Sequence, residues 1–116
     1  MWENLKGIKK EKIPSHEKLL EAVDQNSVFQ CILGYYPDLR RRYISPFRKD
    51  ETPGCRFEWK GKYLCFVDNA GFKGKVFYNM FDALMTLKNI SFYEACRFIY
   101  QNCNVPSLET LVTDRR

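Results

Sequence analysis

Between residues 55 and 60 the chain alternates strictly, with Cys55, Phe57 and Trp59 apolar and Arg56, Glu58 and Lys60 charged. Period two marks an extended strand with one buried and one solvated face. The pattern therefore predicts Cys55, Phe57 and Trp59 against a core and Arg56 and Lys60 pointing outward. Lys60-Gly61-Lys62 reads as a tight turn back into Tyr63-Leu64-Cys65-Phe66-Val67, which completes a β-hairpin. Helical spacing lies on both sides. Upstream, Ser15 is a candidate N-cap, and Leu19, Leu20 and Val23 form the stripe of a short helix that Asp24-Gln25-Asn26 breaks. A second short helix carries Val28, Phe29, Ile32 and Leu33 and ends at Gly34, a residue suited to a left-handed C-terminal cap. Downstream, residues 68–74 read as a loop holding two glycines. Val76, Phe77, Met80, Phe81, Leu84 and Leu87 then recur at helical spacing. Ser91-Phe92-Tyr93-Glu94 has the form of a capping box. It opens a last helix with Phe92, Ala95, Cys96, Ile99 and Tyr100 on its apolar face and Pro106 marking its end.

These elements predict an α+β fold: a small antiparallel hairpin or sheet flanked by N-terminal and C-terminal helices. Its 116 residues, 45% of them hydrophobic, suffice for one modest core. The expected division is a basic, flexible arm over residues 1–14, a folded domain over 15–105, and a tail or linker over 106–116. No run of apolar residues is long enough to span a membrane, and Met1-Trp2-Glu3-Asn4 lacks the layout of a signal peptide. A soluble protein of the cytoplasm is expected.

Cysteine usage narrows the chemistry. Cys31, Cys55, Cys65, Cys96 and Cys103 are odd in number and irregular in spacing, and none forms a C-x-x-C pair. That argues for reduced thiols rather than a disulfide framework. The one histidine, His16, lies outside the cysteine-bearing region, so a Cys/His zinc site has no support in the spacing. No paired acidic cluster suited to two metals and no glycine-rich phosphate loop is visible. The expectation is no cofactor and no catalytic site in this chain.

Several separated landmarks carry a resemblance. Ser45-Pro46-Phe47-Arg48-Lys49-Asp50-Glu51-Thr52-Pro53, then Phe57, Tyr63 and Cys65-Phe66-Val67-Asp68, resembles the N-terminal zinc-ribbon domain of DnaG-like DNA primases. The family form reads C-P-F-H-x-E-K-T-P-S-F, a strand, then Y-x-C-F-x-C. Gly74-Lys75-Val76 and Ser91-Phe92-Tyr93-Glu94-Ala95 resemble the family's glycine after the ribbon and its S-F-x-E-A helix. The likeness covers roughly residues 18–100. At the four ligand positions this chain has Ser45, Arg48, Cys65 and Asp68, so the resemblance implies a degenerate, metal-free form of phage or viral type, with Cys65 a packed strand residue. Losing zinc removes a large contribution to folding. The many aromatics are expected to replace it, with one or two left exposed to stack on bases.

A net charge of +5 becomes informative through its position. Arg40, Arg41, Arg42, Arg48, Lys49, Arg56, Lys60, Lys62, Lys73 and Lys75 gather around the ribbon segment. Ordinary solvated charges would look the same, with Asp50, Glu51 and Glu58 partly neutralising them. The resemblance implies instead that the domain binds single-stranded template DNA while a separate catalytic domain makes the RNA primer. Arg48, Lys49, Arg56, Lys60, Lys62, Lys73 and Trp59 are the expected nucleic-acid contacts. A catalytic primase domain and a replicative helicase are the implied protein partners. The competing class is a stand-alone adaptor that keeps the fold to bind another replication or transcription protein, using an apolar patch around Trp59 or Tyr35-Tyr36.

Overall fold

A computed structural model describes residues 13–103, so the expected arm up to residue 12 and the expected tail over 106–116 lie outside the described residues. Four helices, α1 (His16–Ala22), α2 (Gln25–Leu33), α3 (Met80–Lys88) and α4 (Phe92–Asn102), accompany three strands, β1 (Arg56–Lys60), β2 (Tyr63–Phe72) and β3 (Lys75–Tyr78). The strands form one antiparallel sheet in the order β1-β2-β3. The α+β class and the hairpin expected from the pattern are both present.

Local signals set the helix ends. Ser15 caps α1 by accepting from the Lys18 amide. Ser91 and Glu94 close a reciprocal capping box at α4, and Gly34 ends α2 in the left-handed region at φ 91°. Each satisfies backbone groups that a helix terminus would otherwise leave unpaired. Ile13 packs on the core and Pro14 is buried, so the last two residues assigned to the arm belong to the folded body.

Two readings of the pattern need correction. The break after the first helix falls at Val23 and Asp24, as expected to within a residue, but Asp24 is the N-cap of α2, and Gln25 and Asn26 lie inside that helix. Residues 68–74 are not a loop, because β2 runs to Phe72, and Val76 and Phe77 are strand rather than helix. Lys73 and Gly74 both take left-handed φ, 54° and 82°, in a two-residue turn from Phe72 to its partner Lys75. Such turns match the twist of antiparallel strands. The β-branched and aromatic run Val76-Phe77-Tyr78 suits a pleated surface. Asn79 and Asp82 form a capping box that starts α3 only at Met80.

Helices cover one face of the sheet. Leu19, Val28, Phe29, Met80, Phe81, Leu84, Ala95 and Ile99 meet Phe57, Leu64, Phe66 and Tyr78 there, all buried. Phe57 anchors the packing, with edge-to-face contacts to Phe29, Phe66 and Tyr43 at 5.1–5.4 Å between ring centroids. Outside the sheet, Tyr43 exchanges both backbone hydrogen bonds with Cys55, which adds a single bridge beyond β1. Trp59 shares the parity of Phe57 but stays 46% exposed. Alternation correctly assigns it a face, but on the edge strand β1 it stays exposed while its partner Leu64 on the central strand is covered.

Candidate nucleic-acid interface

The turn over residues 45–50 is built around two aspartates. The Ser45 amide donates to Asp50 Oδ2 at 2.8 Å, and the Ser45 hydroxyl accepts from the Phe47 amide at 3.1 Å. Phe47 is thereby aimed into the core, where it stacks on Tyr78 at 4.1 Å and meets Phe66 edge-on. The next residue reaches across to the sheet. Arg48 Nε donates to Asp68 Oδ2 at 3.0 Å and its Nη2 to Oδ1 at 2.9 Å, a forked pair with Asp68 only 1% exposed. Arg48 Nη1 also lies 3.6 Å from Asp50.

Asp68 collects further donors. The Ser45 hydroxyl and the Gly71 amide both hydrogen-bond to it. The second contact lies in an irregular stretch of β2 between Val67 and Phe72, where Gly71 takes φ 80°. The Arg48 guanidinium, helped by Ser45 and Gly71, holds the Asp68 carboxyl below its ordinary pKa despite burial. The Cys55 thiol is a fourth donor. Burial, with Asp68 and Asp50 beside it, pushes Cys55 up to about 11.

Three of the four positions that the resemblance singled out, Ser45, Arg48 and Asp68, therefore meet. Cys65 does not join them. The register pairs Glu58 with Cys65 and Phe57 with Phe66, so Cys65 occupies the opposite face of the sheet. The cysteine beside Asp68 is Cys55, whose place follows from extending the same register one step past Arg56 and Val67. These side chains do not suit a zinc ion: a guanidinium engages both carboxylate oxygens, and the thiol present is held protonated. Among the described residues no group of three His, Cys, Asp or Glu is arranged to hold a metal. A chelator is accordingly expected to leave the melting temperature unchanged. A fall on chelation, reversed by zinc, would show that metal supports the fold.

The remaining expected contacts divide by location. Lys60 and Lys62 are exposed at the β1–β2 turn with Trp59 beside them, while exposed Lys73 occupies the β2–β3 turn at the far end of the ten-residue β2. At about 3.3 Å per residue those ends are at most roughly 30 Å apart. Lys49 is exposed on the turn that carries Arg48. Arg56 is not a free cation, because its guanidinium donates twice to Glu58 Oε1, at 3.1 and 2.8 Å, along the same strand face. Arg48 is likewise committed to Asp68. Lys60 Nζ sits 4.2 Å from the centroid of Phe77, a side chain 37% exposed rather than in the core as its assigned helix implied. The structure thus brings Lys60 together with Phe77 on the face of the sheet away from the helices, with Lys62 in the adjoining turn and Trp59 on the other face, and no continuous edge runs through all seven.

The chain matches no protein-family model, no curated protein and no solved structure.

Sequence reasoning missed Gln25. Its side chain is buried, with Nε2 donating to the Lys62 carbonyl at 2.8 Å and Oε1 accepting from the Leu64 amide at 2.9 Å. The first paired residue of β2 on the β3 side is Phe66, so residues 62–64 have no strand there. The amide of Gln25 supplies the missing partners. Its signal was its position, one turn before Val28 and Phe29 on the buried face of α2.

No helix among the described residues is long and apolar enough to cross a membrane.

Proposed function

We propose that this chain is a zinc-free relative of the template-binding domain of DNA primases, and that it binds single-stranded DNA at the β1–β2 turn. The Arg48–Asp68 fork is the observation that supports the reading most. It joins the two sequence blocks that carry the resemblance, the Ser-Pro-Phe-Arg turn and the end of Cys-Phe-Val-Asp, and an ion pair stands where the ribbon's metal would tie them. Positive charge and aromatic surface occur at the other end of β1, where Lys60 pairs with Tyr63 at the turn. Lys60 and Lys62 offer ammonium groups to a phosphate backbone, and exposed Trp59 and Phe77 offer ring faces to bases. Primer synthesis itself would belong to a separate catalytic domain, with a replicative helicase as a further partner, in the host cytoplasm if the gene is a phage's.

The test is fluorescence anisotropy of a labelled single-stranded oligonucleotide over a salt series. Each phosphate contact contributes a slope of about −0.7 in log affinity against log salt. Lys60→Ala with Lys62→Ala should flatten the slope by roughly 1.4, whereas Arg56→Ala should alter it much less, because Glu58 already holds that charge. Equal effects of the two changes would indicate diffuse attraction. Absence of binding by the parent protein at low salt would remove the reading in favour of a protein-binding adaptor. For that alternative the relevant surface is Tyr36, Leu39 and Ile44, each about half exposed and close in sequence to Arg40, Arg41 and Arg42.

A further inference from the structure

Two cysteines distant in sequence meet at a surface cleft. Cys31 lies on α2 and is exposed, and Cys103 is the C-cap residue of α4 and half-buried. Cys31 Sγ contacts the carbonyl of Asn102, the neighbour of Cys103, at 3.5 Å. The Cys103 thiol donates to the Cys31 sulfur. Both line one open cleft with Val23, Asp24, Ser27 and Gln30, so a small molecule can reach them from solvent. Cys55, Cys65 and Cys96 are buried elsewhere.

We propose that Cys31 and Cys103 form a dithiol modification site that reacts with low-molecular-weight disulfides and closes into a Cys31–Cys103 disulfide, stapling α2 to the end of α4. The order of steps follows from access. Cys31 loses its proton to solvent, and its sulfur attacks one sulfur of the small disulfide. That S–S bond breaks, leaving a mixed disulfide on Cys31 and releasing one small thiol, which takes up a proton. Cys103 then loses its proton and attacks the Cys31 sulfur, and the second small thiol leaves with a proton. Two protein thiols are oxidised and one small disulfide is reduced to two thiols. Burial and the adjoining Cys31 push the Cys103 thiol up to about 12, which makes it the resolving partner rather than the first nucleophile.

Oxidised glutathione is the probe, applied to the folded full chain, with free-thiol titration, intact mass and non-reducing peptide mapping as readouts. The expected result is a fall from five titratable thiols to three, loss of two hydrogens in mass, and one linked peptide pair containing Cys31 and Cys103. Cys103→Ser should accumulate a stable glutathione adduct on Cys31, and Cys31→Ser should give neither adduct nor internal disulfide. Melting curves on both variants, checked first against the parent, exclude loss of folding as the cause. The oxidised protein should melt higher than the reduced one, because the cross-link restricts the unfolded chain. Linkage through Cys55, Cys65 or Cys96, or a persistent adduct on the parent chain, would overturn the proposal, as would inertness of Cys31.

Discussion

Arg48→Met lowers the melting temperature by about 10 °C or more, because it leaves the carboxylate of Asp68 without its guanidinium in a site where water cannot replace it. The Ser45, Gly71 and Cys55 donors remain, but none carries charge. Exchanging both partners for apolar side chains of similar volume, Arg48→Met with Asp68→Leu, should recover most of the loss, since an ion pair in such a site is often worth little more than good packing. The pH dependence is fixed by the same contact. Asp68 titrates lower in the folded protein than in the unfolded chain. Its contribution is therefore complete above the unfolded value near 4 and is lost as pH falls through the folded value. Thermal melts between pH 7 and pH 2 should show a steep decline below about pH 4 in the parent and a shallower one in the double variant. A double variant as unstable as Arg48→Met at neutral pH would mean that the loss comes from packing around Phe47 rather than from the charge.

The second large effect is expected at Gln25. Gln25→Ala removes both the donor and the acceptor that serve Lys62 and Leu64, in a place β3 does not reach. Each orphaned backbone group costs about 1–3 kcal/mol when water cannot replace the partner. Solvent reaches the exposed Lys62 but not buried Leu64, so a destabilisation of roughly 2–3 kcal/mol is expected from chemical unfolding. Gln25→Glu keeps only the acceptor and brings a partly buried charge, so it should fall near the alanine variant. Hydrogen exchange adds a local readout: the Leu64 amide should lose protection in Gln25→Ala by more than the amides of α4. Uniform loss across the chain would make Gln25 an ordinary stability residue with no specific hold on the hairpin turn that presents Lys60 and Lys62.

Features determined by a few neighbouring residues were legible in the sequence. The caps at Ser15 and at Ser91 with Glu94, the helix stop at Gly34 and the hairpin about Gly61 each depend on backbone groups satisfied within four residues. Neither the location that each basic residue takes on the fold nor which of them remain free was legible. Arg56 is matched by Glu58 two positions on and Arg48 by Asp68 twenty positions on, and spacing gives no means of ranking those partners against solvent. The third strand stayed hidden because Val76, Phe77, Met80 and Phe81 fit a helical stripe as well as a strand followed by a helix. The left-handed turn at Lys73-Gly74 and the capping box at Asn79 decide between them.

Only the tertiary structure could show Trp59 exposed, Gln25 buried and Cys55 rather than Cys65 beside Asp68. Alternation tells which side of a sheet a residue faces, but burial depends on how far the opposing layer reaches. Trp59 lies on the edge strand β1 and stays exposed while its partner Leu64 on the central strand is covered, and β3 stops short of Leu64, where Gln25 takes its place.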